Sequence, residues 1–380
     1  MQGSKHRVVT DLPKDLLVEI FSRVPYKSLC RCRCLSRSWH ALCSDPNIVK
    51  KSPQTLSGFI LHAGDKHGHP SPQPVGFRSA SARSTCPFSS CNGLVLWRCC
   101  KHPASSYEVD YVVCNPATKQ WTTLPPNPME SPGNMEATYL LVFDPTMISS
   151  HFRVFMFLPD VFVFVIRSQA SGLEIYSSQT GRWVFRQSEW GENTEVDFQI
   201  KSVFFNGTLY STTPDLSVIT VDTEGKIWRK IRMPHSYIEP TVKQADAFIA
   251  HSQGCLYAMH IDIHDNNRLS VWSLEVDGDK QWILKHTASI SELFERQHCG
   301  KHDFYTLIAA HPDRNMIFLT GGVHGELVAY DMDTREVTVI RKLRTYSQVP
   351  MFPYIPSFVE LPTSGCRKFE HLLFSYAWFV

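Results

Sequence analysis

TCPFSSCNGLVLWRCCKHPASSYEVDYVVCNPATKQWTTL, residues 85–124, alternates apolar runs with turn residues in a fixed order. A first run ends at Asn92-Gly93, and LVLWR returns from it. After an irregular piece, YEVDYVVCN makes a third run, and the fourth opens at Trp121. Asn-Gly between two such runs favours a two-residue hairpin, because both positions tolerate positive φ. Runs rich in β-branched and aromatic residues, each bounded by turn residues, read as strands. This stretch is therefore expected to be four strands forming one antiparallel sheet.

The same order recurs down the chain. ATYLLVFD, FRVFMFL and LEIYSSQTGRW lead to Trp183; KSVFFNG, TLYST and SVITVDTEGKIW lead to Trp228; AFIAHSQG, CLYAMHI and RLSVWSLEVDGDKQW lead to Trp282. A fifth copy, from FYTLIAAHPDRN to ELVAYDMDTREVTVI, carries Val337 and Val339 where the Trp would stand. Successive Trp spacings of 62, 45 and 54 residues show a repeat loosened by insertions. Four strands per unit at this period predict a β-propeller, with each Trp packing between blades and burying roughly 150–250 Å². Leu56–Ala63 and Tyr354–Leu361 are left over as strands at the two ends, and pairing them closes the ring at about six blades. Asn206-Gly207-Thr208 has the form of a glycosylation sequon but sits where the pattern needs a turn.

In such blades, the turns joining first to second and third to fourth strands share one face of the ring. Here those turns are short, while the other face collects the long connections, 99–106, 125–136, 159–171, 188–197, 234–244, 261–267, 292–303 and 344–352. Long loops gathered on one face are where recognition concentrates. The aromatic and charged candidates on it for binding a protein substrate are Trp190, Tyr237, Arg296 and Tyr346.

The N-terminal segment, residues 10–51, is of another kind. Asp11 and Pro13 suit the opening of a helix. Leu16, Leu17, Ile20, Phe21 and Val24 then form one wide apolar stripe before Pro25. Ser28 is placed to cap a second helix burying Leu29, Cys32 and Leu35, and a third segment holds Trp39, Leu42 and Cys43. Three short helices bury too little surface to stand comfortably alone, so the stripe is expected to meet another protein.

Leu12-Pro13, Leu16-Leu17, Glu19-Ile20, Pro25, Ser28-Leu29, Arg31, Arg33 and Trp39 resemble an F-box in order and spacing, with Phe21, Val24 and Leu35 as mild departures. SSCNGLVLW, VCNPATKQWTTLPP and VDTEGKIWRKIRMP are similar to blade signatures of the large plant F-box proteins with an F-box-associated or kelch-like propeller. The Gly-Gly pair of true kelch blades occurs only at Gly321-Gly322. The resemblance implies α + all-β architecture: a three-helix F-box over residues 8–52, a propeller of about six four-stranded blades over 53–365, and an apolar tail over 366–380. It also implies docking on the Skp adaptor of a cullin-RING ubiquitin ligase through Leu12, Pro13, Leu16, Leu17, Ile20, Phe21, Val24, Pro25, Leu29, Cys32 and Trp39. The chain would then be a non-catalytic substrate receptor. A ligase-independent scaffold, or a propeller enzyme or carbohydrate-binding module with an F-box-like cap, are the alternatives. Arg23, Lys27, Arg31, Arg33 and Arg37 make this segment basic, either as a solvated face or to steer an acidic adaptor.

Composition narrows the classes further. Lys+Arg 38 against Asp+Glu 36 over 380 residues gives no global argument for nucleic acid or an anionic membrane. MQGSKHRVV has no apolar core of a secretory signal, and 152–166 is interrupted by Arg153, Pro159 and Asp160, so a cytoplasmic or nuclear protein is expected. The 12 cysteines are then free thiols used as small hydrophobes. No nucleophile elbow, phosphate loop or zinc-protease signature is present. Cys30, Cys32 and Cys34 alternate on a helix and cannot converge on a metal. Cys99-Cys100 with His102 fills only part of a tetrahedral site. His260, Asp262 and His264, at period two near a strand end, are the best metal candidate but lack a further ligand. No cofactor or metal is expected.

Overall fold

The strand Thr138–Phe143 is buried along its whole length, and its side chains divide by parity. Tyr139, Leu141 and Phe143 join one apolar cluster, and Leu140 and Val142 join another. A strand buried on both faces requires a sheet on each side, and period-two alternation assigns the neighbours. The same split runs through Leu94–Cys100, where Leu94 and Leu96 face one way and Val95, Trp97 and Cys99 the other. Sheets standing face to face around a ring give this pattern.

The computed structural model describes residues 12–45, 48, 52, 56–61, 84–100, 109–128, 138–145, 151–157, 167–169, 172–191, 194–197, 201–234, 247–262, 265, 267–275, 281–293, 305–321, 325–342, 351–361, 367–368 and 377–378. Blade 1 contains Ser84–Cys91, Leu94–Cys100, Val109–Asn115 and Gln120–Thr123, with Arg367–Lys368 added at its outer edge. Blades 2 to 5 have four antiparallel strands each, beginning at Thr138–Phe143, Ser202–Phe205, Phe248–Ser252 and Tyr305–Ala310. A two-stranded piece, Arg167–Gln169 with Glu195–Asp197, accompanies blade 2. The sixth sheet has three strands in the order Met351–Tyr354, Gly58–Leu61, Ala377–Trp378.

Closure thus comes from both ends of the chain, as the leftover strands predict, with Gly58 opposite Tyr354 and Leu61 opposite Met351. The late strand is Met351–Tyr354 rather than 354–361. Pro356 has no N–H to give a ladder, and the chain leaves the sheet there as a strap. Each seam between neighbouring sheets has its own apolar cluster, including those on either side of the three-stranded sheet. The first strands of the blades line the middle of the ring.

Trp121, Trp183, Trp228 and Trp282 pack into these seams, each against the preceding sheet. The Trp183 indole donates to the Pro125 carbonyl at 3.0 Å and that of Trp282 to the Arg232 carbonyl at 3.0 Å, both across a seam. In blade 5 Val337 takes the corresponding place, while Val339 is exposed. Asn92-Gly93 and Asn206-Gly207 have positive φ at both positions, so the sequon is a hairpin turn.

The buried thiols behave as core atoms. Cys91 accepts from the Phe143 N–H at 3.4 Å across the first seam, and Cys114 accepts from the Trp97 indole at 3.1 Å. Burial pushes each thiol up to about 12.

The N-terminal helices are α1 (Lys14–Phe21), α2 (Tyr26–Cys32) and α3 (Arg37–Cys43). Pro13 and Pro25 occupy the N-cap positions of α1 and α2, without a side-chain cap, so Ser28 lies inside α2 rather than before it. Ser36 caps α3, its hydroxyl accepting from the Trp39 N–H at 3.2 Å. Asp11 lies outside the described residues. The core between these helices is Phe21, Leu29, Cys30, Cys43 and Ile48, with Trp39 set edge-on to Phe21 at 5.1 Å.

Candidate functional site

A helix turns 100° per residue, so Leu16 and Leu17 cannot face the same way fully. The wide stripe of α1 accordingly splits. Leu17, Phe21 and Val24 turn onto α2 and α3, whereas Leu16 and Ile20, one turn apart, stand 52% and 49% exposed, and Leu12, ahead of the helix, is exposed as well. Two residues assigned to adaptor docking by resemblance, Phe21 and Leu29, are 6% and 0% exposed. They are corrected here to the segment's own core, because three short helices need them to hold together. Leu17, Val24, Cys32 and Trp39 are half-buried against that core. Pro13 and Pro25 are exposed.

Leu35 was expected inside and is 67% exposed, because α2 ends at Cys32 and the chain turns before α3. The helical spacing 29, 32, 35 cannot register where the helix stops. Large apolar side chains left in water mark docking surfaces when they adjoin, and Leu16 and Ile20, one helical turn apart, form such a row.

The basic residues divide as well. Arg33 reaches the Cys43 carbonyl with Nε at 3.2 Å and Nη2 at 3.1 Å, tying α2 to α3. The Cys43 thiol there is pushed up, chiefly by burial. Arg23 pairs with Glu19 one turn earlier. Arg31 and Arg37 are exposed.

The strap fixes this segment to the propeller. Phe358 packs into the helical core. One residue earlier, the strap passes over the Asn92-Gly93 turn so closely that a Cβ on Gly93 would lie 2.4 Å from the Ser357 nitrogen. Beyond it, the Asn115 amide donates to the Val359 carbonyl at 2.8 Å and the Gln120 carbonyl accepts from the Leu361 N–H at 2.9 Å. Leu361 ends in the first seam. These contacts lie at the short turns of blade 1, so the helices sit on the short-turn face, opposite the long loops.

On the long-loop face Trp190 requires correction. It is 6% exposed, stacks on Phe157 at 6.0 Å, meets Trp228 at 4.6 Å and donates to the Thr220 carbonyl at 2.9 Å. A ring with its N–H satisfied in a seam is a wedge between blades 2 and 3, not a free anchor. Tyr237, Arg296 and Tyr346 lie outside the described residues. His260 is buried in the strand Cys255–Asp262, Asp262 accepts from the Asp265 N–H at 3.2 Å, and His264 lies outside the described residues. Among the described residues no group of three or more His, Cys, Asp or Glu side chains is placed to hold a metal.

Comparison with known proteins follows this division of the chain. Residues 9–51 match the F-box domain, and residues 70–360 match the family described as F-box protein At3g26010-like, beta-propeller. F-box protein At5g07610 of Arabidopsis thaliana is 27% identical over 325 residues, covering 77% of this chain and 73% of the relative. F-box protein CPR1 of the same plant is 31% identical over 133 residues, covering 32% of this chain and 30% of the relative. Among solved structures, the nidogen/laminin complex aligns at a TM-score of 0.39 and 9% identity, over 70% of this chain and 83% of that one. A likeness at that level adds nothing to the assignment. With an F-box in front and a matched propeller behind it, the chain belongs to the F-box protein At3g26010-like β-propeller family.

Proposed function

We propose that the protein is the substrate-recognition subunit of a Skp–cullin–F-box ubiquitin ligase, in the cytoplasm or nucleus. The observation that carries this reading is the exposed row Leu16 and Ile20, with Leu12 exposed ahead of the helix, on the side of the matched F-box turned away from its own core. The propeller would bind a protein substrate on the long-loop face and do no bond chemistry. Its contribution is proximity, raising the effective concentration of substrate lysines near a ubiquitin-conjugating enzyme.

Co-purification with a Skp adaptor tests the first half. Leu16→Asp with Ile20→Asp places charge on the exposed row and spares the helical core, and should weaken adaptor binding by roughly hundreds-fold. Adaptor that ignores the parent chain, or binds parent and variant alike, would sink the reading.

A further inference from the structure

Blade 3 ends outward on Trp228–Arg232, WRKIR. The Ile227 carbonyl accepts from the Asp222 N–H at 3.2 Å, and the Met233 N–H donates to the Leu216 carbonyl at 2.9 Å. Both residues therefore turn their backbone inward, and antiparallel alternation leaves Trp228, Lys230 and Arg232 presenting theirs outward. The Arg232 carbonyl takes the Trp282 indole N–H at 3.0 Å. Among the described residues no further strand pairs with this edge. Blade 1 shows what such an edge can hold, since Arg367–Lys368 pairs there with Gln120 and Trp121.

Charge selects the occupant. The outer strands RWVFRQ, WRKIR, WILKHTAS and VTVIRK carry eight Lys or Arg and no Asp or Glu, in a chain with 38 of the first kind and 36 of the second. Lys230 is paired with Asp215 at 2.9 Å, whereas Arg229 and Arg232 meet no carboxylate among the described residues. Ile227, 57% exposed just ahead of the strand, adds apolar surface. Lysine on an edge strand also keeps sheets from joining. That role is served by either sign of charge, so it does not account for a uniformly basic set.

We propose that the outer edge of blade 3 receives an extended acidic segment of another protein as an added strand. Its main chain pairs with Trp228 and Lys230, and carboxylates on its two faces meet Arg229 on one side of the sheet and Arg232 on the other. This site is separate from the F-box, and its failure would leave the receptor reading untouched.

Fluorescence anisotropy on the full chain tests it with three probes: a short peptide of Glu-Glu-Val repeats, which carries carboxylates on both faces of an extended strand, the same peptide N-methylated at alternate residues, and a single-stranded oligonucleotide of equal charge. The plain peptide should bind in a salt-dependent way and the N-methylated one should not. Arg229→Glu with Arg232→Glu should weaken binding about tenfold or more. Arg229→Gln with Arg232→Gln should give a smaller loss, and serves if charge reversal disturbs the blade. Equal binding of the N-methylated peptide, or unchanged binding by both variants, overturns the proposal. So does tighter binding of the oligonucleotide, or self-association of the Glu variant when the parent binds no peptide.

Discussion

At Asn115 the side-chain carbonyl takes the Ala117 and Thr118 N–H groups at 3.0 and 3.4 Å, and the amide N–H holds the Val359 carbonyl. Asp222 and Asp331 close the matching turns of blades 3 and 5 as acceptors only. Asn115→Asp would keep the turn and set two acceptors against each other at a fully buried site. It should cost about 2–3 kcal/mol, read as a lower urea midpoint at unchanged slope. His251 supplies a pH test. It stacks on Phe205 at 4.3 Å, its Nε2 has no partner, and burial holds it below the ordinary histidine range. His286 and His311 are lowered too, first by burial. With folded values below unfolded ones, the unfolded chain binds more protons, so stability falls as pH drops from about 6.5 through the folded values. His251→Phe keeps the ring contact and should make melting temperature less steep between pH 7 and 5. An unchanged slope would remove His251 from this account.

The F-box helices show which parts of an element sequence can specify. The apolar residues of α1 were legible, but their division into a core side and a free side was not. An i, i+1, i+4, i+5 pattern is one stripe until the crossing helices choose its centre. Phe21→Ala should cost about 3 kcal/mol or more, and Leu16→Ala within about 0.5 kcal/mol, measured by hydrogen exchange over α1 to α3. Equal losses would mean both residues are core. The strands were easier, because alternation and hairpin turns are local. Four blade tryptophans and the Val337 replacement were all visible in the repeat. Trp190 was misplaced because a loop aromatic looks alike whether it meets solvent or, as here, turns back between Phe157 and Trp228.

At the scale of the whole molecule, closure was foreseeable from two unpaired strands, and the strap was not. Nothing local in 355–361 announces that one face meets blade 1 and Phe358 meets the helices. The two parts of the C-terminal region should therefore respond differently to truncation. Ending the chain after residue 361 removes Arg367–Lys368 and Ala377–Trp378, both at outer edges, and should lower the melting temperature by only a few degrees. Ending it after residue 350 removes Met351–Tyr354 and the strap, opens two seams and should abolish cooperative melting. Retention of a sharp transition by the shorter chain would show that the ring does not depend on its last inner strand.

The strap also sets a schedule for synthesis. The helices leave the ribosome first, while Phe358, which completes their apolar seat, is encoded some three hundred residues later. At about 5–20 residues per second that delay is roughly 15–60 s. Throughout it the exposed row of α1 is displayed on a nascent chain whose propeller is unfinished. A partner that captures that row during translation would meet the helices before blade closure can orient them, so the order of assembly is written into the order of the sequence.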